Sequence, residues 1–177
     1  PAARNIFVTT APSAHNTAGV VTTAVNAQNF TFANVAATDA ARRTALGMPV
    51  TNPGWFDGRT GDDLVNYIKG LNTYEMRNGG KLRNRSSVLG DVINANPEIV
   101  SPRDDFGYGA WSGATIPAWK EALGDSYKTY LTAKSTRAPM VYIGANDGML
   151  HGFDASAVSG GAERFAFIPA GARDHLF

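Results

Sequence analysis

The stretch 141–169, VYIGANDGMLHGFDASAVSGGAERFAFIP, limits the fold more than any other part of the chain. Val141 and Ile143, then Met149, His151 and Phe153, alternate with their neighbours about Asn146, Asp147 and Gly148. Those three residue types tolerate the positive φ that a short hairpin turn demands. A Ser/Gly-rich connection at 156–161 leads into ERFAFI at 163–168, where Phe165 and Phe167 share one face and Ala166 and Ile168 the other. The pattern predicts consecutive strands of one small antiparallel sheet, the meander from which a β-propeller blade is built.

Upstream, short strands alternate with helical inserts. NIFVTT at 5–10 and GVVTTAVNA at 19–27 have the β-branched content of strands, with Pro12, Asn16 and Gly19 marking the link between them. Thr38 or Asp39 caps a helix near 38–47 that stops at Gly47. Thr60 stands three residues before Asp63, an acidic variant of the capping box, and predicts a helix near 60–70 with Leu64, Tyr67 and Ile68 on one face. Residues 88–93 and 98–100 read as strand segments on either side of Asn94-Ala95-Asn96-Pro97. After a turn-rich stretch at 101–113, Pro117 opens a third helical insert near 115–135 that carries Tyr127, Tyr130 and Leu131 at helical spacing. A blade here is therefore expected to draw strands from both sides of that insert.

Size then bears on completeness. A propeller uses about 4 to 8 four-stranded blades of about 40 to 50 residues each, so 177 residues with helical detours are too few to close the ring. Pro1 is not an initiator residue. The expectation is a mainly β chain with helical insertions, residues 1–177 forming the N-terminal portion, the first blade or blades, of a propeller in a longer polypeptide. Its open sheet edges would need pairing, cover or a partner.

Charge and composition exclude several functions. A net charge of +1 supplies no field suited to nucleic acid. Arg77, Lys81, Arg83 and Arg85, set among Asn, Gly and Ser, read as a solvated loop. With no cysteine there is no disulfide, thiolate metal site or cysteine nucleophile. No apolar run approaches the ~18–20 residues of a membrane span, and no charged n-region with an apolar h-region opens the chain; for an exported protein the signal would lie upstream.

The chemically suggestive residues read as structural. His151 lies within a strand pattern, and neither His15, placed in a loop, nor His175 stands at ligand spacing from it, so a packed, hydrogen-bonded histidine is expected. Asp62-Asp63, Asp104-Asp105 and Asp147 lack the D-x-[DN]-x-[DN]-G pattern of a calcium loop and read as caps and turns. Ser86, Ser87 and Asp91 have hydrolase residue types without a G-x-S-x-G elbow. Asp91 is instead expected to accept hydrogen bonds and pin its loop to the first strand, with Gly90 permitting the bend, and Asp154 to brace the next turn. Trp55, Phe56, Phe106, Tyr108, Trp111 and Trp119 read as loop anchors, with Trp55 and Trp111 as a candidate contact surface. No catalytic, cofactor-binding or metal-ligating residue is assigned.

YIGANDGMLHGFDA followed by ERFAFIPAGARDHLF resembles the start of the propeller in PilY-type proteins, surface factors of type IV pili. LRNRSSVLGDVINANPEIV at 82–100, and more weakly DDLVNYIKG at 62–70, resemble the same family. The resemblance implies a non-enzymatic role in pilus assembly, in opposing retraction, and in cell adhesion, twitching motility or surface sensing. Minor pilins of the pilus-tip complex and a host or abiotic surface are the implied partners, and the implied location is exported, at the pilus tip, cell surface or outer membrane. PilY-type propellers carry a calcium-binding loop; no matching loop occurs here, so calcium is expected only elsewhere in the full-length protein. Two alternatives remain: a quinoprotein-like dehydrogenase using pyrroloquinoline quinone and calcium, and a carbohydrate-binding propeller reading glycans through Trp55 or Trp111.

Overall fold

A computed structural model describes residues 4–9, 14–18, 21–23, 27–51, 60–111 and 115–176. In chain order the strands are β1 (Ile6–Val8), β2 (Ala14–His15), β3 (Val21–Thr23), β4 (Gln28–Asn29), β5 (Glu98–Val100), β6 (Met140–Gly144), β7 (Leu150–Asp154) and β8 (Glu163–Ile168). The helices are α1 (Asp39–Ala45), α2 (Gly61–Ile68) and α3 (Ala118–Lys134). Six strands form one open sheet in the order β4-β1-β8-β7-β6-β5, while β2 and β3 pair separately. His15 thus lies in a strand rather than in the expected loop.

The anticipated meander is present. Connections 145–149 and 155–162 are too short for parallel crossovers, so β6, β7 and β8 run antiparallel. β5 joins them antiparallel to β6, pairing Glu98 with Tyr142 and Val100 with Met140. The four-stranded unit therefore draws on both sides of the α3 insertion. Strand β1 was not foreseen as its neighbour. It lies parallel to β8, Ile6 opposite Ala166 and Val8 opposite Ile168, and its other edge takes β4 antiparallel.

Helix ends follow their sequence signals. The Thr38 hydroxyl caps α1 by accepting from the Ala41 amide, and Gly47 follows the helix with φ +69°. Thr60 and Asp63 complete a reciprocal capping box at α2. Pro117 caps α3, which runs unbroken through Gly124.

Residues 88–93 do not form the expected strand; only 98–100 does. Val88, Val92 and Ile93 are exposed, and Asn94 turns the chain with φ +57°. Apolar content there had no neighbouring strand to pair with. Within the expected strands 5–10 and 19–27 the described strand residues are Ile6–Val8 and Val21–Thr23, and Thr10, Pro12, Gly19, Val20 and 24–26 lie outside the described residues.

The chain divides into two compact units. One comprises Pro1–Asn96, Ile143–Gly152 and Glu163–Phe177, the other Pro97–Tyr142 and Phe153–Ala162. The first holds the apolar core: Ile6 and Val8 of β1, Phe30 and Phe32 after β4, Leu46 and Met48 after α1, Leu64 and Val65 of α2, and Met149, Ala166 and Ile168 of the meander. Burying each such Leu, Ile or Phe contributes about 1.5–3 kcal/mol relative to leaving it in water. On β8 the predicted alternation holds: Ala166 and Ile168 are fully buried, and Phe165 and Phe167 half-buried on the other face.

Candidate functional site

Four charged side chains meet beside the β6–β7 hairpin. The turn itself is set by Gly148, whose φ of +79° suits glycine, and by hydrogen bonds from the Gly148 amide to Ala145 O and from the Ala145 amide to Met149 O. Alternation along β7 then turns His151 inward, where it is fully buried. Its Nε2 lies 3.0 Å from Asp147 Oδ1 and its Nδ1 lies 2.7 Å from Glu163 Oε1, on the neighbouring strand β8. Arg4, just ahead of β1, donates from Nε to Glu163 Oε2 and from Nη2 to Oε1, each at 2.6 Å. This is the bidentate geometry in which a guanidinium matches a carboxylate.

The geometry defines the charge state. Both ring nitrogens of His151 face carboxylate oxygens, which accept only, so both carry protons and the ring is an imidazolium. The 3.0 Å approach of Arg4 Nη2 to Nδ1 then reflects two donors converging on one oxygen. Burial alone would lower the His151 pKa, but the hydrogen bonds and charges of Asp147 and Glu163 outweigh it and raise the value to about 9. Burial would likewise raise Glu163, yet Arg4 and His151 bring it down to about 2. Asp147 is also lowered: its burial is opposed by His151 and by the amides of Gly90 and Met149. All three groups are therefore held charged at neutral pH, and none is poised to exchange a proton there.

Asp147 also takes the role expected of Asp91. Its Oδ2 accepts from the Gly90 amide at 3.0 Å, fastening the 87–91 loop to the hairpin. Asp91 is exposed and contributes its main-chain carbonyl, which accepts from the Asn146 amide at 2.9 Å. The loop is pinned where expected, by a different carboxylate: the side chain inside the turn is fixed by its neighbours, whereas Asp91 faces solvent. Asp154, 1% exposed, braces its turn as the sequence suggested, accepting from the Ser156 amide at 2.7 Å and the Ser159 hydroxyl at 2.9 Å.

The basic stretch is not simply solvated. Arg85 donates to Glu75 Oε1 at 3.0 Å and to the carbonyls of Tyr67 and Leu71, and stacks 3.6 Å from the Tyr67 ring centre. Arg77 pairs with the other Glu75 oxygen at 2.6 Å. Burial works to raise the Glu75 pKa, but the two arginines lower it overall. Lys81 and Arg83 are exposed as expected. What the sequence reading lacked was Glu75, a single acidic residue whose 1% exposure only the packing reveals.

Of the aromatics, Trp55 and Phe56 lie outside the described residues, and Phe106 and Trp119 are exposed. Tyr108 meets Trp111 and Tyr127 edge-on, at 5.0 and 5.4 Å between ring centres, so Trp111 helps seat a short 3-10 turn on α3.

Several carboxylates singled out in the sequence are hydrogen-bonded within the protein. Asp147 and Glu163 are occupied by His151 and Arg4, Asp63 closes the α2 cap, and Asp104 and Asp105 accept from the amides of Ser101 and Gly107. Among the described residues no group of three or more His, Asp or Glu is arranged to hold a metal. Among the described residues, Ser87 Oγ accepts from the Leu89 amide, and His175 sits exposed near Asp174. No described helix is long and apolar enough to cross a membrane.

Comparison with known proteins agrees with this architecture. The Type IV pilus biogenesis factor PilY1 of Pseudomonas aeruginosa strain PAK is 40% identical over 116 residues, 66% of this chain and 9% of that protein. A PilY1 homolog of Xylella fastidiosa strain Temecula1 is 39% identical over 121 residues, again 66% of this chain and 8% of the relative. The chain thus spans less than a tenth of the length of these relatives. No solved structure matches significantly. Residues 89–176, which contain β5 to β8 and the hairpin, match the family described as the PilY1 beta-propeller domain.

Proposed function

We propose that the chain is part of a non-enzymatic type IV pilus biogenesis factor, in which a propeller scaffold supports pilus extension and surface attachment through binding. The observation that carries this reading is the coincidence of the PilY1 beta-propeller match with the four-stranded β5–β8 meander. The hairpin chemistry supports it, because His151, Asp147 and Glu163 are spent on one another and on Arg4. Minor pilins at the pilus tip are the proposed partners, a host or abiotic surface the proposed target, and the pilus tip or outer surface the proposed location. Calcium, if used, belongs to other parts of the full-length protein.

The test is deletion and complementation of the full-length gene in its own host. Loss of sheared surface pilin and of twitching, restored by the intact gene, is the expected result; unchanged piliation overturns the proposal. Dye-linked alcohol or sugar oxidation by the purified full-length protein with pyrroloquinoline quinone and calcium would overturn its non-enzymatic part.

A further inference from the structure

A second site, remote in character from the hairpin, lies in the unit formed by Pro97–Tyr142 and Phe153–Ala162. A cleft of about 280 Å³ opens between the end of β5 and the last turn of α3. Ser101, Tyr130 and Tyr142 line it together with the apolar Val100 and Met140, and its charged lining residues, Lys134 and Arg137, are both cationic.

Lys134 is the unusual member. The residue is only 5% exposed, and its ammonium donates to one protein acceptor among the described residues, the Asp104 carbonyl at 2.8 Å. An ammonium has three N–H donors, and a buried cation without a countercharge is costly. Arg137 is exposed, its guanidinium lying 5.5 Å from the Tyr130 ring centre. Neither cation is in an ion pair among the described residues, whereas Arg4, Arg77 and Arg85 each have a glutamate.

We propose that this cleft binds a carboxylate, held by Lys134 and Arg137, with the apolar body of its ligand against Val100 and Met140. A carboxylate supplies the missing countercharge and up to four acceptor positions for the unused donors. The cleft is small enough to hold one acidic group and a ring or short side chain. That chemistry is shared by an acidic sugar and by the free C-terminus of a peptide.

Isothermal titration of the full chain with glucuronate and with acetyl-Ala-Ala-Ala, each beside its neutral counterpart, glucose and the tripeptide amide, separates the two sources. Binding of either acid, weakened about tenfold or more in the neutral counterpart, supports the site and identifies the source. Arg137→Gln, at an exposed position, is expected to weaken that binding several-fold without altering the circular dichroism melt. Lys134→Met is expected to abolish it, with the melt reporting whether the fold survives. Absence of binding by both acids at millimolar concentration, equal binding of acid and neutral forms, or full binding by Arg137→Gln would overturn the proposal.

Discussion

Two buried charge clusters in the same unit use similar chemistry to different ends. The Glu75 cluster is local: Arg85 reaches back 10 residues to Glu75 and 18 to Tyr67, closing one loop onto the end of α2. The His151 cluster is long-range, with Arg4 and Glu163 separated by 159 residues. One ties down a neighbourhood, and the other joins distant strands. They also differ in what can titrate, since arginine and glutamate stay charged from mildly acidic to strongly alkaline pH, whereas an imidazolium does not.

The sharpest way to break this contrast is to remove a carboxylate from each. Glu163→Gln leaves Arg4 and His151 without their shared countercharge and should cost about 3–5 kcal/mol in denaturant unfolding. Glu75→Gln should shift that global transition less and show mainly as faster amide exchange within residues 67–85. Equal global shifts from the two changes would erase the distinction between a local and a long-range tie.

Titration separates the clusters next. The folded His151 pKa of about 9 lies above its ordinary 6.5, so its contribution is fully present below pH 6.5 and is lost as pH rises through 9. Unfolding free energy should fall by about 3 kcal/mol over that interval. Glu163, depressed to about 2 from 4.5, works in the opposite direction: its contribution is present above pH 4.5 and disappears as pH falls through 2. His151→Asn should abolish the alkaline decline and keep part of the acid one. A flat alkaline profile in the unmodified protein would show that the ring is not charged.

Packing around the long-range cluster gives a smaller effect. A Cβ at Gly152 would stand 2.7 Å from the Phe165 ring, so Gly152→Ala should destabilise by about 1–3 kcal/mol in thermal or urea unfolding, displacing β8. On the helix that the local cluster ties down, Thr60→Ala removes one half of the N-terminal capping box of α2 and should cost about 1 kcal/mol by the same measurement. A Thr60 effect exceeding that of Gly152 would reverse the ranking of the two regions.

These clusters also mark where sequence reading succeeds. Hairpin, caps and helical inserts were legible because each is written within a few residues: Asn146-Asp147-Gly148 for the turn, Thr60 with Asp63 for the cap, alternation for β8. His151 could be read as packed from its strand pattern, but its partners could not. Arg4 precedes a three-residue strand, Glu163 opens another, and no spacing connects them until β1 lies parallel to β8. Assigning the pinning role to Asp91 failed for a related reason: Asp147 read only as a turn residue, and no local spacing places it under the Gly90 amide, 57 residues away. Residues 88–93 had strand-like composition, yet composition does not supply a neighbour to pair with.

The parallel pairing of β1 with β8 has a consequence for the chain as it is made. During synthesis or export from the N-terminus, Ile6 and Val8 emerge long before Ala166 and Ile168, and Arg4 long before its glutamate. The first strand must wait, one edge unpaired and its cation without its glutamate, until the hairpin has passed through. Such late closure lengthens the interval in which a chaperone or a pairing strand from another molecule can capture it.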